Sequence, residues 1–209
     1  MPRLVRCFCG LALAALALGG CGLLLPAASE RADRSVETDG EPLQTPTRRT
    51  PFRFETGHGA VNVVPRFEFD ISAVVASAES YLLDTGAFLS PVDLVMTWGK
   101  LPEEPYRSRV SYNQMGRFYF WRTGSVDLDL HYIGTHSANM HLIPATKNLS
   151  RALRKVGSGD SVRITGLLVD VSMDSGFTWR TSTTREDDGP GACELIFVES
   201  LQRGMRVYR

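Results

Sequence analysis

Cysteine is scarce in this 209-residue chain: there are four, and Cys7, Cys9 and Cys21 fall near the N-terminus. Cys193 stands alone in the rest, which excludes an internal disulfide there and leaves burial to hold the domain together. Lysine is as sparse, at Lys100, Lys147 and Lys155. Excess charge is missing too. Residues 52–209 carry 17 Lys+Arg and 18 Asp+Glu, a net of −1. That balance lacks the positive surplus phosphate backbones require, so nucleic acid is not an expected partner. No Cys-x-x-Cys or His-Glu-x-x-His spacing occurs, and Gly157-Ser158-Gly159 is not followed by the Lys-Ser/Thr of a phosphate loop. The sequence therefore predicts no metal, no cofactor and no assembled catalytic set.

What is present starts with an address. Arg3 and Arg6 precede an uncharged, largely apolar run of 22 residues, Cys7 to Ala28. A positive end followed by a greasy run directs a chain to a membrane and out of the cytoplasm. Residues 1–28 are thus expected to be a signal peptide, a lipoprotein leader or a membrane anchor. Leu18-Gly19-Gly20-Cys21 looks like a lipobox, with Cys21 as the lipidation site. About 20 apolar residues also suffice to span a bilayer uncleaved, and the small residues Ala27 to Ser29 suit ordinary cleavage. All three fates place the following domain outside the cytoplasm, on the far side of the membrane. Residues 29–51 contain no aromatic and, besides alanine, only Val36 and Leu43 as aliphatics. Such a stretch cannot repay its ordering entropy by burial and is expected to be a flexible linker.

Residues 52–209 are expected to form a single β-rich domain. Phe67, Phe69, Ile71, Ala73 and Val75 alternate with Glu68, Asp70, Ser72 and Val74, the period of a half-buried strand. Further β runs are 117–121, 139–144, 161–171, 177–183 and 194–198. Two short helices interrupt them. Ser90-Pro91-Val92-Asp93 offers a cap, a first-turn proline and a capping-box acid, with Gly99 as the stop. Leu149, Ala152, Leu153 and Val156 repeat at helical spacing, with Gly157 ending the second helix. This order predicts an OB-like, partly open β-barrel, mainly β, with a split α+β sheet as competitor. Its expected core is Phe67, Phe69, Ile71, Val162, Ile164 and Leu168.

Four separated blocks are Leu89–Leu94 with Trp98-Gly99, Arg117–Trp121, His136–Ala145 and Thr183–Leu195. Together they resemble a family of uncharacterised bacterial membrane and envelope proteins, over roughly residues 67–200. The resemblance implies a bacterial source and carries no activity.

The candidate site residues come from two polar stretches, His136–His141 and Arg180–Glu194. His136 and His141, five apart, fall on opposite faces of a strand, which makes a poor metal pair. Ser137 and Asn139 are suited to bonding a turn's backbone while His141 packs its ring inward. Arg180, Arg185, Asp187, Asp188 and Glu194 flank one turn, where Arg–carboxylate forks would stiffen the loop. The expected ligand-binding set is therefore His136, Asn139, His141, Arg180, Arg185, Asp187 and Glu194, with Trp179 and the aromatics of 117–121 as stacking faces. The expected role is a membrane-tethered, non-catalytic domain binding an envelope protein or glycan. The alternative is a thiol-dependent hydrolase or redox enzyme pairing Cys193 with a histidine.

Overall fold

The computed structural model describes residues 25–209; residues 1–24, with Cys21 and most of the expected leader, lie outside them. In chain order the strands are β1 (Glu30–Arg31), β2 (Leu43–Pro46), β3 (Phe52–Thr56), β4 (Gly59–Ser80), β5 (Val92–Thr97), β6 (Val110–Met115), β7 (Phe118–Thr123), β8 (Ser137–Pro144), β9 (Ser161–Met173), β10 (Thr178–Trp179), β11 (Glu194–Arg203) and β12 (Arg206–Tyr208). Three short helices, α1 (Tyr106–Arg109), α2 (Leu130–Thr135) and α3 (Lys147–Leu153), complete the described elements. Strand occupies 47% and helix 9%, so the fold is mainly β.

The alternation at Phe67–Val75 is the middle of β4, a 22-residue strand with register shifts at Pro65/Phe67 and Val75/Ser77. Those shifts bend it, as an extra residue on one strand does. β4 pairs antiparallel with β5, and β5 with β8. β8 runs parallel to β11, β11 antiparallel to β9, and β9 antiparallel to β4, so the pairings return to their starting strand. Ile71, Leu94, Met140, Ile164 and Ile196, one from each of these strands, meet in a common core. Leu149, Ala152, Leu153 and Val156 join it from α3 and the turn after it. Thr146 caps α3 by accepting the Leu149 N–H at 3.1 Å, which replaces one unpaired helix-start donor. All six expected core residues lie in this core, with Phe67 half-buried at its edge.

Three sequence expectations are corrected. The run from Ser90 is a strand, not a helix. Every residue of β5 is buried on either face, and a short continuous apolar run has no periodicity to separate the two. The Ser90–Asp93 contact of a capping box does form, Oγ to Oδ1 at 3.3 Å, but across an extended strand entry. Second, residues 29–51 supply β1, which pairs with β12, and β2, which pairs with β4 at Leu43–Pro46. Edge pairing satisfies backbone groups without needing apolar side chains, and Leu43 stays exposed. Third, the run 177–183 contributes only Thr178–Trp179 to the sheet. Gly86, which packs closely against Trp179, belongs to the loop facing it.

Residues 98–136, between β5 and β8, form an outlying layer. Leu101, Val110, Leu128 and Ile133 make a small core of their own, and β6 and β7 form a separate hairpin. This hairpin lies over the outer face of β5 and β8. That cover explains why β8 is buried along almost its whole length although Ser137, Asn139 and His141 alternate away from the main core.

Candidate functional site

Gly116 and Arg117 make the two-residue turn of the β6–β7 hairpin, with φ of 60° and 74°. Paired positive φ values are what a type I′ hairpin turn requires. Arg117 is the one non-glycine with positive φ among the described residues. An arginine costs about 1 kcal/mol there, and such strain persists where the surroundings fix the residue. Its surroundings do so. The guanidinium donates to Asp84 Oδ1 and Oδ2 at 2.8 and 2.9 Å, and to Asp93 Oδ1 at 2.8 Å. It also stacks 3.6 Å over the Tyr81 ring. The fork on Asp84 fixes the loop between β4 and β5, and the third bond reaches into β5.

Asp93 is fully buried. Its Oδ2 lies 2.9 Å from His141 Nδ1, but off the line of a directed hydrogen bond, so the attraction is mainly electrostatic. The His141 ring leans on Trp179 with centroids 4.6 Å apart. Two residues along β8, Asn139 accepts from the Gln114 amide at 2.8 Å and donates to the Arg117 carbonyl at 3.0 Å. Gln114 also donates to the Asp93 carbonyl at 3.4 Å. Asn139 thus bonds a turn's backbone as expected, but the turn belongs to the hairpin above it. The Tyr119 hydroxyl donates to the Ser137 carbonyl at 2.8 Å and completes the clamp. Removing Asp93 (Asp93→Ala) takes away one of the three carboxylate bonds of Arg117 and leaves His141 facing an empty corner. Because Arg117 keeps Asp84, we expect a loss of about 2 kcal/mol, less than the full cost of an orphaned buried charge, read as a lower denaturation midpoint.

Two cavities flank this network. One, of about 730 Å³, lies between the β4–β5 loop, the hairpin turn and β10, and is lined by Asp84, Gly86, Arg117, His141, Trp179 and Arg180 among others. The second, of about 560 Å³, is bounded by Phe118–Trp121, α2 and the loop 184–194. Phe118 and Cys193 border both. The two sequence blocks therefore adjoin, since Glu194 pairs with Met140 and Leu195 with His141. His141 and Arg180 open on the first cavity, whereas Arg185, Asp187 and Glu194 open on the second. His136 belongs to neither: it stacks on Tyr132 at 3.6 Å, and its Nε2 meets Glu41 at 2.8 Å.

The expected Arg–carboxylate forks within 180–194 do not form among the described residues. Asp187 instead accepts from the Ser182 hydroxyl at 2.8 Å, and Arg185 donates to Gln44 at 3.5 Å. Short hydroxyl contacts within the loop hold the carboxylate without an arginine. Cys193 is the free cysteine here, and burial, followed by the neighbouring Glu194 charge, pushes its thiol up to about 12. Such a thiol is protonated at neutral pH and is a poor nucleophile. Burial likewise raises the Glu194 carboxyl to about 8.

None of Asp84, Asp93, Gln114 and Arg117 is expected at the site from sequence: the local pattern makes Asp93 a helix-capping acid and Arg117 the start of a β run. A carboxylate inside the apolar run Val92–Met96 was the available signal for Asp93, since an unpaired charge is not buried. Gly116-Arg117 between two β runs marks a tight turn, but no local pattern shows that its side chain crosses to another strand. Among the described residues no group of three or more His, Cys, Asp or Glu is placed to hold a metal ion. No protein-family model, no curated protein and no solved structure matches the chain.

Proposed function

We propose that this chain is an exported, membrane-tethered and non-catalytic domain of a bacterial envelope, built on an OB-like barrel and binding a protein or glycan of that envelope. The barrel reading is supported by the closed pairing order β4-β5-β8-β11-β9-β4, by the parallel β8–β11 pair, and by α3 between β8 and β9, the third and fourth of these strands in chain order. The leader supports export and tethering, and the four sequence blocks support membership in a bacterial envelope family. The single observation that carries binding is the cavity of about 730 Å³ walled by Trp179, Phe177 and Phe118 over His141 and Arg117. Aromatic walls with a few fixed polar groups are how small convex parts of a partner are gripped. The raised Cys193 thiol speaks against the enzyme reading.

A photo-crosslinking residue at position 179, introduced into the full chain in living cells, tests this. We expect a defined adduct with an envelope protein or glycan, lost on Phe118→Ala. The same adduct forming from position 154, just after α3, would sink the reading.

A further inference from the structure

The Asp93 network uses the face of β8 but leaves the second cavity and its buried carboxyl, Glu194, without a task. We propose that this cavity receives an ammonium or guanidinium group carried by a peptide segment of the partner, with Glu194 as the buried counter-charge. The inference rests on the binding reading above and supplies the partner's chemistry.

Glu194 is 2% exposed, it lines the cavity, and its Oε2 has no hydrogen-bond partner. A buried carboxyl oxygen left alone is costly, and a donor arriving from outside would satisfy it. The charges at the cavity favour a cation over any other donor. Glu186, Asp187 and Asp188 line it against a single arginine, Arg185. Arg185 reaches Gln44, and no ion pair joins it to Glu194 among the described residues. His131 lies 3.9 Å from Glu186 at the rim. Phe118 and Phe120 stay exposed on the hairpin edge of the same cavity, where ring faces attract cations more than they attract neutral donors.

Proton balance gives the inference a signature. Four titratable or charged neighbours act with or on Glu194: Arg185 and Asp187 from the loop, the adjacent Cys193, and Tyr119 from β7. Tyr119 and Cys193 are both raised by burial and are neutral near pH 7. Glu194 is also protonated there, so a bound cation displaces one proton to solvent. Affinity for a permanently charged group then rises about tenfold per pH unit below pH 8 and levels off above it.

The test titrates the full chain with a short glycine peptide carrying one central lysine and blocked at both ends. Its counterpart has the lysine acetylated. Calorimetry at about pH 6, 7, 8 and 9 should show the lysine peptide binding with that tenfold slope, and the acetylated peptide at least about tenfold weaker. Glu194→Gln should abolish both the binding and the slope. Should that variant melt early, the exposed pair Glu186→Gln with Asp188→Asn should weaken the lysine peptide several-fold without changing the melt. Equal affinity for the two peptides, a flat pH profile or no binding would overturn the inference. If the peptide fails while crosslinking from position 179 persists, only this inference falls. If both fail, the binding reading falls with it.

Discussion

Gly166→Ala should be among the most damaging single substitutions in this protein. Gly166 sits in β9 where β11 shifts register between Val198 and Ser200. A Cβ there would lie 2.0 Å from the Phe197 carbonyl oxygen and 3.0 Å from its carbon. The obstruction is backbone, so it cannot rotate away as a side-chain end could. β9 and β11 must separate, losing ladder hydrogen bonds at the pairing that brings the ring back to β4. Overpacking plus those bonds costs about 4 kcal/mol, which for a domain of this size lowers Tm by roughly 10 °C or more. Gly157→Ala is the control, because nothing lies within 4 Å of its Cβ and its φ is not positive. If both variants melt within about 2 °C of the parent, β9 and β11 do not approach this closely in solution.

Glycine at that point also shows what was legible in the sequence. Phe69 of β4 lies directly opposite Gly166 and is 2% exposed, so an aromatic covers the backbone the glycine leaves bare. The alternation that made Phe69 and Ile71 inward residues was readable because period two is a local property of a strand. The α3 pattern was readable for the same reason. β5 was not, since Val92–Met96 is buried on both faces and a strand without a wet side has no period. β1 and β2 were hidden differently: their stabilisation is backbone pairing with β12 and β4, and side-chain composition is silent about that. The candidate site divides along the same line. Asn139, His141, Arg180 and Glu194 were visible as members of two polar-rich stretches, 136–141 and 180–194. Their partners are Asp93, inside a strand buried on both faces, and Gln114 and Arg117, from an insertion that folds back over the sheet; long-range register of that kind leaves no local trace.

The stability of this protein should fall as pH rises between about 4.5 and 8, and Glu194→Gln should remove that slope. In the unfolded chain a glutamate ionises near pH 4.3, whereas burial, against only partial help from its own backbone N–H and from Arg185, holds the folded Glu194 carboxyl protonated up to about 8. Between those values the folded state binds more protons than the unfolded state, so each step upward in pH favours unfolding. The contribution is complete below the unfolded value and is lost by the folded one, a total of the order of 5 kcal/mol. Carboxylates held below their usual range act elsewhere. Burial raises Asp84, but the bonds from Arg117 and Gly86 outweigh it, and its effect falls on the acid side of this window. Glu194→Gln keeps the side-chain shape and cannot ionise. At about pH 5 it should be slightly less stable than the parent, because its amide hydrogens need acceptors and the surroundings of Oε2, which has no partner in the parent, offer none. At about pH 8.5 the order should reverse, the parent having lost most of this term. Urea denaturation of both proteins at the two pH values reads the crossing directly. Parallel pH profiles would mean that Glu194 is ionised throughout, and that its carboxylate has found a partner inside the cavity.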